Sequence, residues 1–142
     1  MVLFTFYIFS LLLSYTDCKK FIVPNIIIGT MFLLVLFFGI IEQKIYLSNL
    51  IVALLILLLF MGLFLFNRNI MVGGGDIKYL LVAAFYLKFT VFPVFMIISG
   101  LLQTIAILYT QNVRKRRFVP MVPVMFVSIV ITDILVFFGL VK

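Results

Sequence analysis

The hydrophobic pattern divides the chain into six apolar runs separated by short polar segments. The runs are Val2–Thr16, Val23–Ile41, Leu47–Phe66, Ile77–Leu87, Phe89–Tyr109 and Val119–Val141. A helix that crosses a lipid bilayer needs about 20 mostly apolar residues, and four of the six runs approach that length. The pattern therefore predicts an all-α, polytopic membrane protein with six transmembrane helices. The runs occupy nearly the whole chain, so we expect residues 1–142 to form one integral-membrane domain without a separate soluble domain.

The first and fourth runs are shorter than the others. Helix 1 must continue to about Lys20 to cross the bilayer, which places Asp17 about one turn inside the membrane edge. The fourth run follows Gly73-Gly74-Gly75, and glycine disfavours helix. We therefore predict a short, broken helix 4 that starts near Ile77 and is preceded by a glycine-rich, non-helical segment. Such backbone is tolerated at membrane depth only beside protein or a water-filled cavity, so we expect Asp76 at a cavity wall.

Composition and charge set the orientation. The chain is 67% hydrophobic with a net charge of +7. Eight basic residues fall on one predicted side and three on the other: Lys19, Lys20, Arg68, Lys78, Arg114, Lys115, Arg116 and Arg117 against Lys44, Lys88 and Lys142. The basic side should be cytoplasmic. This predicts a multi-pass protein of the cell membrane with Asp17 and Asp76 both at the cytoplasmic face. We interpret the run 114–117 as a lipid anchor and topology determinant, with no nucleic-acid partner.

The chain has no histidine and a single cysteine, Cys18. Catalytic triads that need histidine, histidine-ligated metals and an internal disulfide are therefore excluded. Cys18 also has no histidine to activate it as a nucleophile. We expect neither a metal ion nor another cofactor.

Two of the four acidic residues, Asp17 and Asp76, stand at the ends of apolar runs. Carboxylates are costly near lipid, and two that share one proton can activate a water molecule for peptide hydrolysis. Asp76 opens a helix whose N-terminus favours negative charge, and a low dielectric around Asp17 disfavours it there. We therefore predict Asp76 as the carboxylate and Asp17 as the acid. Two structural interpretations compete with this one. Asp76 could cap helix 4, and Asp17 could pair with Lys19 or Lys20.

Two segments carry a family resemblance. Asp17–Asn25 has an aspartate followed by basic residues and a triplet similar to Ile-Pro-Asn, with Val23 in place of Ile, and Gly73–Lys78 has Gly-x-Gly-Asp followed by an apolar residue and lysine. In these segments the chain resembles the type IV prepilin peptidases and the related archaeal preflagellin peptidases, membrane aspartyl proteases of the GxGD class. The proline-rich start of the last run, Val119–Pro123, is a weaker similarity.

The resemblance implies that Asp17 and Asp76 are the catalytic pair. Supporting roles fall to Gly73, Gly75, Lys78, Pro24 and Asn25. Without a Cβ, the glycines should let a substrate backbone approach Asp76. Asn25 either orients the site or caps helix 2, and Lys78, two residues from Asp76, is better placed to contact lipid phosphate than to assist catalysis.

The resemblance also implies a substrate. The family removes the basic leader of pilin-like or archaellin-like precursors at the cytoplasmic face, just before an apolar helix. Larger members that also N-methylate the product usually carry an added loop with paired Cys-x-x-Cys motifs, which this chain lacks. It therefore resembles the short, peptidase-only type of tight-adherence (Flp) pilus systems or archaea, and N-methylation is not expected.

Asp133, midway along helix 6, belongs to neither motif. We predict that it forms a hydrogen bond inside the bundle, with Thr104 or Gln103 on helix 5 as its partner. A broken helix and buried carboxylates are also how ion pathways are built, so a small ion or solute transporter subunit is the main alternative function. A scaffold protein without activity is a third.

Overall fold

The computed structural model describes residues 1–43, 47–66, 74–113 and 119–140, which contain six helices and no strand. The helices are α1 (Val2–Lys20), α2 (Asn25–Ile41), α3 (Leu47–Phe66), α4 (Gly74–Tyr86), α5 (Phe92–Val113) and α6 (Met121–Phe137). The all-α class and the number of helices are confirmed. Gly73, Lys44, Arg68, Lys142 and the basic run 114–117 lie outside the described residues, so the statements about them stay predictions.

Two helices of the described chain are long and apolar enough to cross a membrane, Val2–Lys20 and Phe92–Asn112. The apolar stretches Asn25–Ile41, Ser48–Leu59 and Met121–Phe137 are shorter. At 13 residues, α4 is about 20 Å long, less than the thickness of the hydrocarbon core. Six full transmembrane helices are therefore not confirmed.

The extension of helix 1 is confirmed, because α1 continues to Lys20. It ends at Phe21, whose left-handed backbone (φ 52°) reverses the chain while its N–H donates to the Asp17 carbonyl at 2.9 Å. Pro24 then precedes the first residue of α2 with the extended backbone typical of an N-cap (φ −65°, ψ 125°). This short connection carries Val23 across the start of α4.

The predicted start of helix 4 is wrong. The helix begins at Gly74, so Gly74 and Gly75 belong to its first turn and not to a non-helical segment. The first amides of a helix need no partner inside the helix, so glycine weakens this turn less than it would weaken the interior. Asp76 is consequently the third residue of the helix rather than its cap.

α4 is the central helix of the bundle. It packs against α1, α2, α3 and α6, whereas α5 lies outside and packs against α6. Its side chains Tyr79, Val82 and Ala83 are buried, and no large apolar side chain of α4 is exposed. The other five helices all expose large apolar side chains among the described residues. From Tyr79 onward α4 is thus enclosed by other helices, whereas Asp76 at its start is half-buried.

α1 runs antiparallel to α4 and α6. Asp17 near the end of α1 meets the start of α6, and Tyr7 near the start of α1 meets Asp133 near the end of α6. Between them, the buried Tyr79 hydroxyl donates to Ser10 Oγ at 3.0 Å. We call the two ends of the bundle the Asp17 end and the Asp133 end.

Asn49 of α3 holds the end of α4. Its buried Nδ2 donates to the carbonyls of Phe85 and Leu87, both at 3.2 Å. Asn49→Ala should lower the free energy of unfolding by about 1–3 kcal/mol, because two helix-end carbonyls lose their donor away from water. Thermal unfolding of the purified protein in detergent measures this. Asn112→Ala, at an exposed position on α5, is the control and should change little. Equal unfolding temperatures for the two variants would contradict the assignment.

Candidate active site

Asp17 lies in the last turn of α1 and is only 6% exposed. Its Oδ2 accepts the N–H of Val122 at 3.1 Å, and the neighbouring amide of Met121 acts on the same carboxyl group. Pro120, the N-cap of α6, makes no side-chain capping hydrogen bond. The carboxyl group of Asp17 therefore caps α6 from a different helix.

Asp76 faces Asp17 from the first turn of α4. It is half-buried and lies outside both candidate spans. Burial, and next the charge of Asp17, raise the pKa of the Asp76 carboxyl to about 6. Among the described residues, no hydrogen bond to this carboxyl is found. The structure thus brings the two aspartates together at one end of the bundle, close enough to interact electrostatically.

Burial disfavours the charged form of both carboxyl groups, and their other surroundings differ. Asp17 accepts helix amides, which favour a negative charge. Asp76 is half-buried next to a like charge and has no such donor among the described residues, which favours its protonated form. The prediction that Asp76 is the carboxylate considered the start of its own helix and the burial of Asp17. It could not include the start of α6, which lies more than a hundred residues from Asp17 in sequence.

Gly75 provides space for the chain itself rather than for a substrate. A Cβ at this position would lie 2.6 Å from Cγ2 and 2.7 Å from Cβ of Val23. The expectation that Gly75 lets a substrate backbone approach is therefore wrong. A Cβ on Gly74 would meet no atom within 4 Å. The close approach of Val23 joins the two motif segments directly.

Lys78 and Asn25 join α4 to α2. Lys78 Nζ donates to Asn25 Oδ1 at 2.6 Å, and Asn25 is the first residue of α2 rather than its cap. Together with Pro24, this pair fixes the start of α2 beside the start of α4. The side chains of Lys78 and Asn25 line a groove of about 310 Å³. Its other lining residues are Ile28, Gly29, Phe32, Leu81 and Val82.

A cavity was expected at Asp76. Neither the α2–α4 groove nor a second cavity of about 290 Å³ at the Asp133 end is lined by Asp17 or Asp76. The second cavity includes Tyr86, Lys88 and Asp133 in its lining. The contact of Val23 with Gly75 fills space that the glycines were expected to leave open.

The ion pair considered for Asp17 does not form within the described part of the chain. Lys19 Nζ lies instead over the ring of Tyr15, 5.8 Å from its centroid. Cys18 is exposed. Lys19 therefore contacts a tyrosine ring rather than the Asp17 carboxyl group.

Sequence reasoning missed two features near Asp17. The Ser14 hydroxyl is buried without a hydrogen-bond partner among the described residues, one turn before Asp17 on the same face of α1. A water molecule would satisfy such a group. The other missed feature is the start of α6. One signal was present, because proline at the N-cap has no side-chain acceptor and leaves the helix amides to be satisfied by another element.

Asp133 forms a hydrogen bond inside the bundle, as predicted, but not to helix 5. Its Oδ2 accepts the hydroxyls of Tyr7 at 2.8 Å and Tyr86 at 2.7 Å. Thr104 and Gln103 form hydrogen bonds within α5 instead. Asp133 therefore connects α1, α4 and α6 at the end of the bundle opposite Asp17.

Asp133→Leu should lower the unfolding temperature, because two tyrosine hydroxyls lose their shared acceptor. Tyr7→Phe and Tyr86→Phe, which each remove one hydrogen bond, should have smaller effects. Thermal unfolding in detergent compares the three variants. An unchanged unfolding temperature for Asp133→Leu would show that this cluster does not hold the helices together.

Comparison with known proteins gives one match. A sequence model described as the type IV leader peptidase family matches residues 4–108, well over half of the chain. The matched part contains Asp17 and Asp76 and ends before α6. No curated protein and no solved structure matches the chain.

Proposed function

The chain belongs to the type IV leader peptidase family, and we propose that it is a membrane-embedded aspartyl endopeptidase that removes the basic leader of pilin-like precursors. One observation carries the proposal. Asp17 and Asp76, from motif segments far apart in sequence, interact at one end of the bundle, and the segments themselves touch at Val23 and Gly75. The transporter alternative is not favoured by the family match.

The proposed reaction uses the aspartates as a pair that shares one proton. As the oxygen of a water molecule attacks the scissile carbonyl carbon, one carboxylate takes a proton from the water. The other aspartate gives its proton to the carbonyl oxygen, which produces a tetrahedral diol. The first aspartate then protonates the leaving nitrogen as the C–N bond breaks. A diol hydroxyl returns a proton to the second aspartate, so that the pair is restored.

We place the reaction at the cytoplasmic face of the cell membrane. The large apolar side chains exposed on five helices suit contact with lipid, and the predicted excess of lysine and arginine lies on the side of the two aspartates. The proposed substrates are precursors in which a basic leader precedes an apolar helix. The chain lacks paired Cys-x-x-Cys motifs, so the proposal is limited to peptidase activity without methylation.

Cleavage of a synthetic precursor in H₂¹⁸O tests this proposal. The purified full-length protein in liposomes should release the leader with one ¹⁸O in its new terminal carboxyl group, measured by mass spectrometry. A precursor of equal length whose apolar helix is replaced by a polar sequence serves as the control and should not be cleaved. Failure of the wild-type protein to cleave the first precursor, or equal cleavage of both, would contradict the proposed function.

A further inference from the structure

The contact between Asp17 and the start of α6 joins a residue inside the family match to a helix outside it. The Val122 amide donates to Asp17 Oδ2 at 3.1 Å in a buried setting, and Met121 adds a second amide. α6 begins beyond residue 108, where the family match ends. Pro120 offers no capping side chain of its own, so the hydrogen bond serves both α6 and Asp17.

The amides of a helix N-terminus bind anions because their N–H groups and the helix dipole both favour negative charge. Here the Val122 amide donates to Oδ2 of Asp17. Among the described residues, Asp76 has no corresponding donor. Within the described part of the chain the pair is therefore asymmetric, because the start of α6 orients Asp17 and no amide orients Asp76.

We infer that the first turn of α6 is a positioning element for catalysis, in which the Val122 amide holds Asp17 as the carboxylate that accepts the proton of the attacking water. The inference rests on the proposed function. Asp76 is then the acid that donates to the carbonyl oxygen. In this arrangement Oδ2 of Asp17 accepts the Val122 amide and Oδ1 faces the water molecule. Ser14, whose buried hydroxyl has no partner among the described residues, lies one turn before Asp17 on α1.

The other elements around Asp17 bring one competing charge. α4 contributes Asp76, which disfavours a second negative charge nearby. The first residues of α2, 25–29, contain no titratable side chain, and the first turn of α6 has none either. Among the described residues, the amides of α6 contact Asp17 and favour its ionised form.

Val122→Pro removes the donor with little change in the helix. Proline lacks an N–H and is tolerated in the first turn, where Pro123 already stands. The Val122 side chain is fully buried, so Val122→Ala is the matched control that keeps the N–H and loses packing. We expect kcat of Val122→Pro to be about 10–100-fold below that of Val122→Ala, with KM similar in the two variants. A rate difference of this size corresponds to the free energy of one hydrogen bond to a charged group.

A backbone ester at position 122, introduced as the α-hydroxy analogue of valine, replaces the N–H with oxygen and keeps the side chain. It serves if Val122→Pro does not fold, and it should lower kcat by a similar factor. Equal kcat values for the ester variant and the wild type, or for Val122→Pro and Val122→Ala, would overturn the inference.

Infrared difference spectra between the wild type and Asp17→Asn report the charge of Asp17 without any substrate. At neutral pH the wild type should show a carboxylate band, and Val122→Pro a larger fraction of the protonated band. A fully protonated Asp17 in the wild type would overturn the inference even if cleavage is normal. If the wild type cleaves no precursor, the proposed function fails, whereas the spectra still decide how α6 acts on Asp17.

Discussion

Replacing Asp17 with asparagine should abolish leader cleavage and leave the bundle folded. The amide oxygen of asparagine can still accept the Val122 N–H, since asparagine is a good helix cap, but it cannot take a proton from water. Loss of a positioned proton acceptor typically costs about 10²–10⁴-fold in rate. We expect the rate of Asp17→Asn to fall by this factor, with an unfolding temperature near that of the wild type.

Asp17→Ala separates the two roles of this residue. It removes the cap of α6 as well as the acid, so it should lose cleavage and also lower the free energy of unfolding by about 0.5–2 kcal/mol. The measurements are precursor cleavage and thermal unfolding of both variants in the same detergent. Normal cleavage by Asp17→Asn, together with reduced stability of Asp17→Ala, would make Asp17 a structural cap and remove it from the catalytic pair.

Gly75→Ala should have the second large effect. The added Cβ would lie 2.6–2.7 Å from two carbon atoms of Val23, closer than carbon atoms can approach. The start of α4 and the segment before α2 must then separate, at a cost of about 1–3 kcal/mol in stability. Asp76 is the next residue and would move with the backbone. A displacement of about 1 Å in a catalytic group can lower the rate about 10²-fold, which is the loss of cleavage we expect.

The chain offers matched controls for this prediction. Gly74→Ala adds the same methyl group one residue earlier, where no atom lies within 4 Å, and should retain cleavage. Val23→Gly should restore part of the activity of Gly75→Ala, because it removes the three atoms nearest to the new Cβ. Val23→Ala should not, since the Cβ at 2.7 Å remains. Cleavage by Gly75→Ala at the wild-type rate would show that this contact does not position Asp76.

The sequence predicted the helices well because their signal is local. Long apolar runs separated by short polar segments indicated six helices. The length needed to cross a membrane predicted that α1 continues to Lys20, where it ends. The alternating direction of successive helices placed Asp17 and Asp76 at one end, where the structure brings them together. These inferences needed only the order and length of the runs.

The glycines before Asp76 were interpreted less well. Their low helix propensity suggested an open, non-helical segment, yet two of them form the first turn of α4. At a helix start propensity counts for less than packing, and at Gly75 the packing partner is Val23, which is about fifty residues earlier in the chain. A local rule cannot identify such a partner.

The partners of the carboxyl groups also depend on contacts distant in sequence. Asp133 binds tyrosines of α1 and α4 rather than residues of the adjacent α5, because α6 packs against all three helices. Asp17 binds an amide at the start of α6, where the N-cap Pro120 indicates amides that need an acceptor but does not identify Asp17 as that acceptor. In both cases the hydrogen-bond partner follows from how the helices assemble.

The central claim is that Asp17 and Asp76 act as one catalytic pair. The most direct test is the rate of leader cleavage by Asp17→Asn, Asp76→Asn and the double variant, purified and assayed together with the wild type. We expect the cleavage rate of each single variant to fall about 10²–10⁴-fold. The rate of the double variant should be no lower than that of the less active single variant, because the effects of residues that act as a unit are not additive. Wild-type cleavage by either single variant would contradict the account.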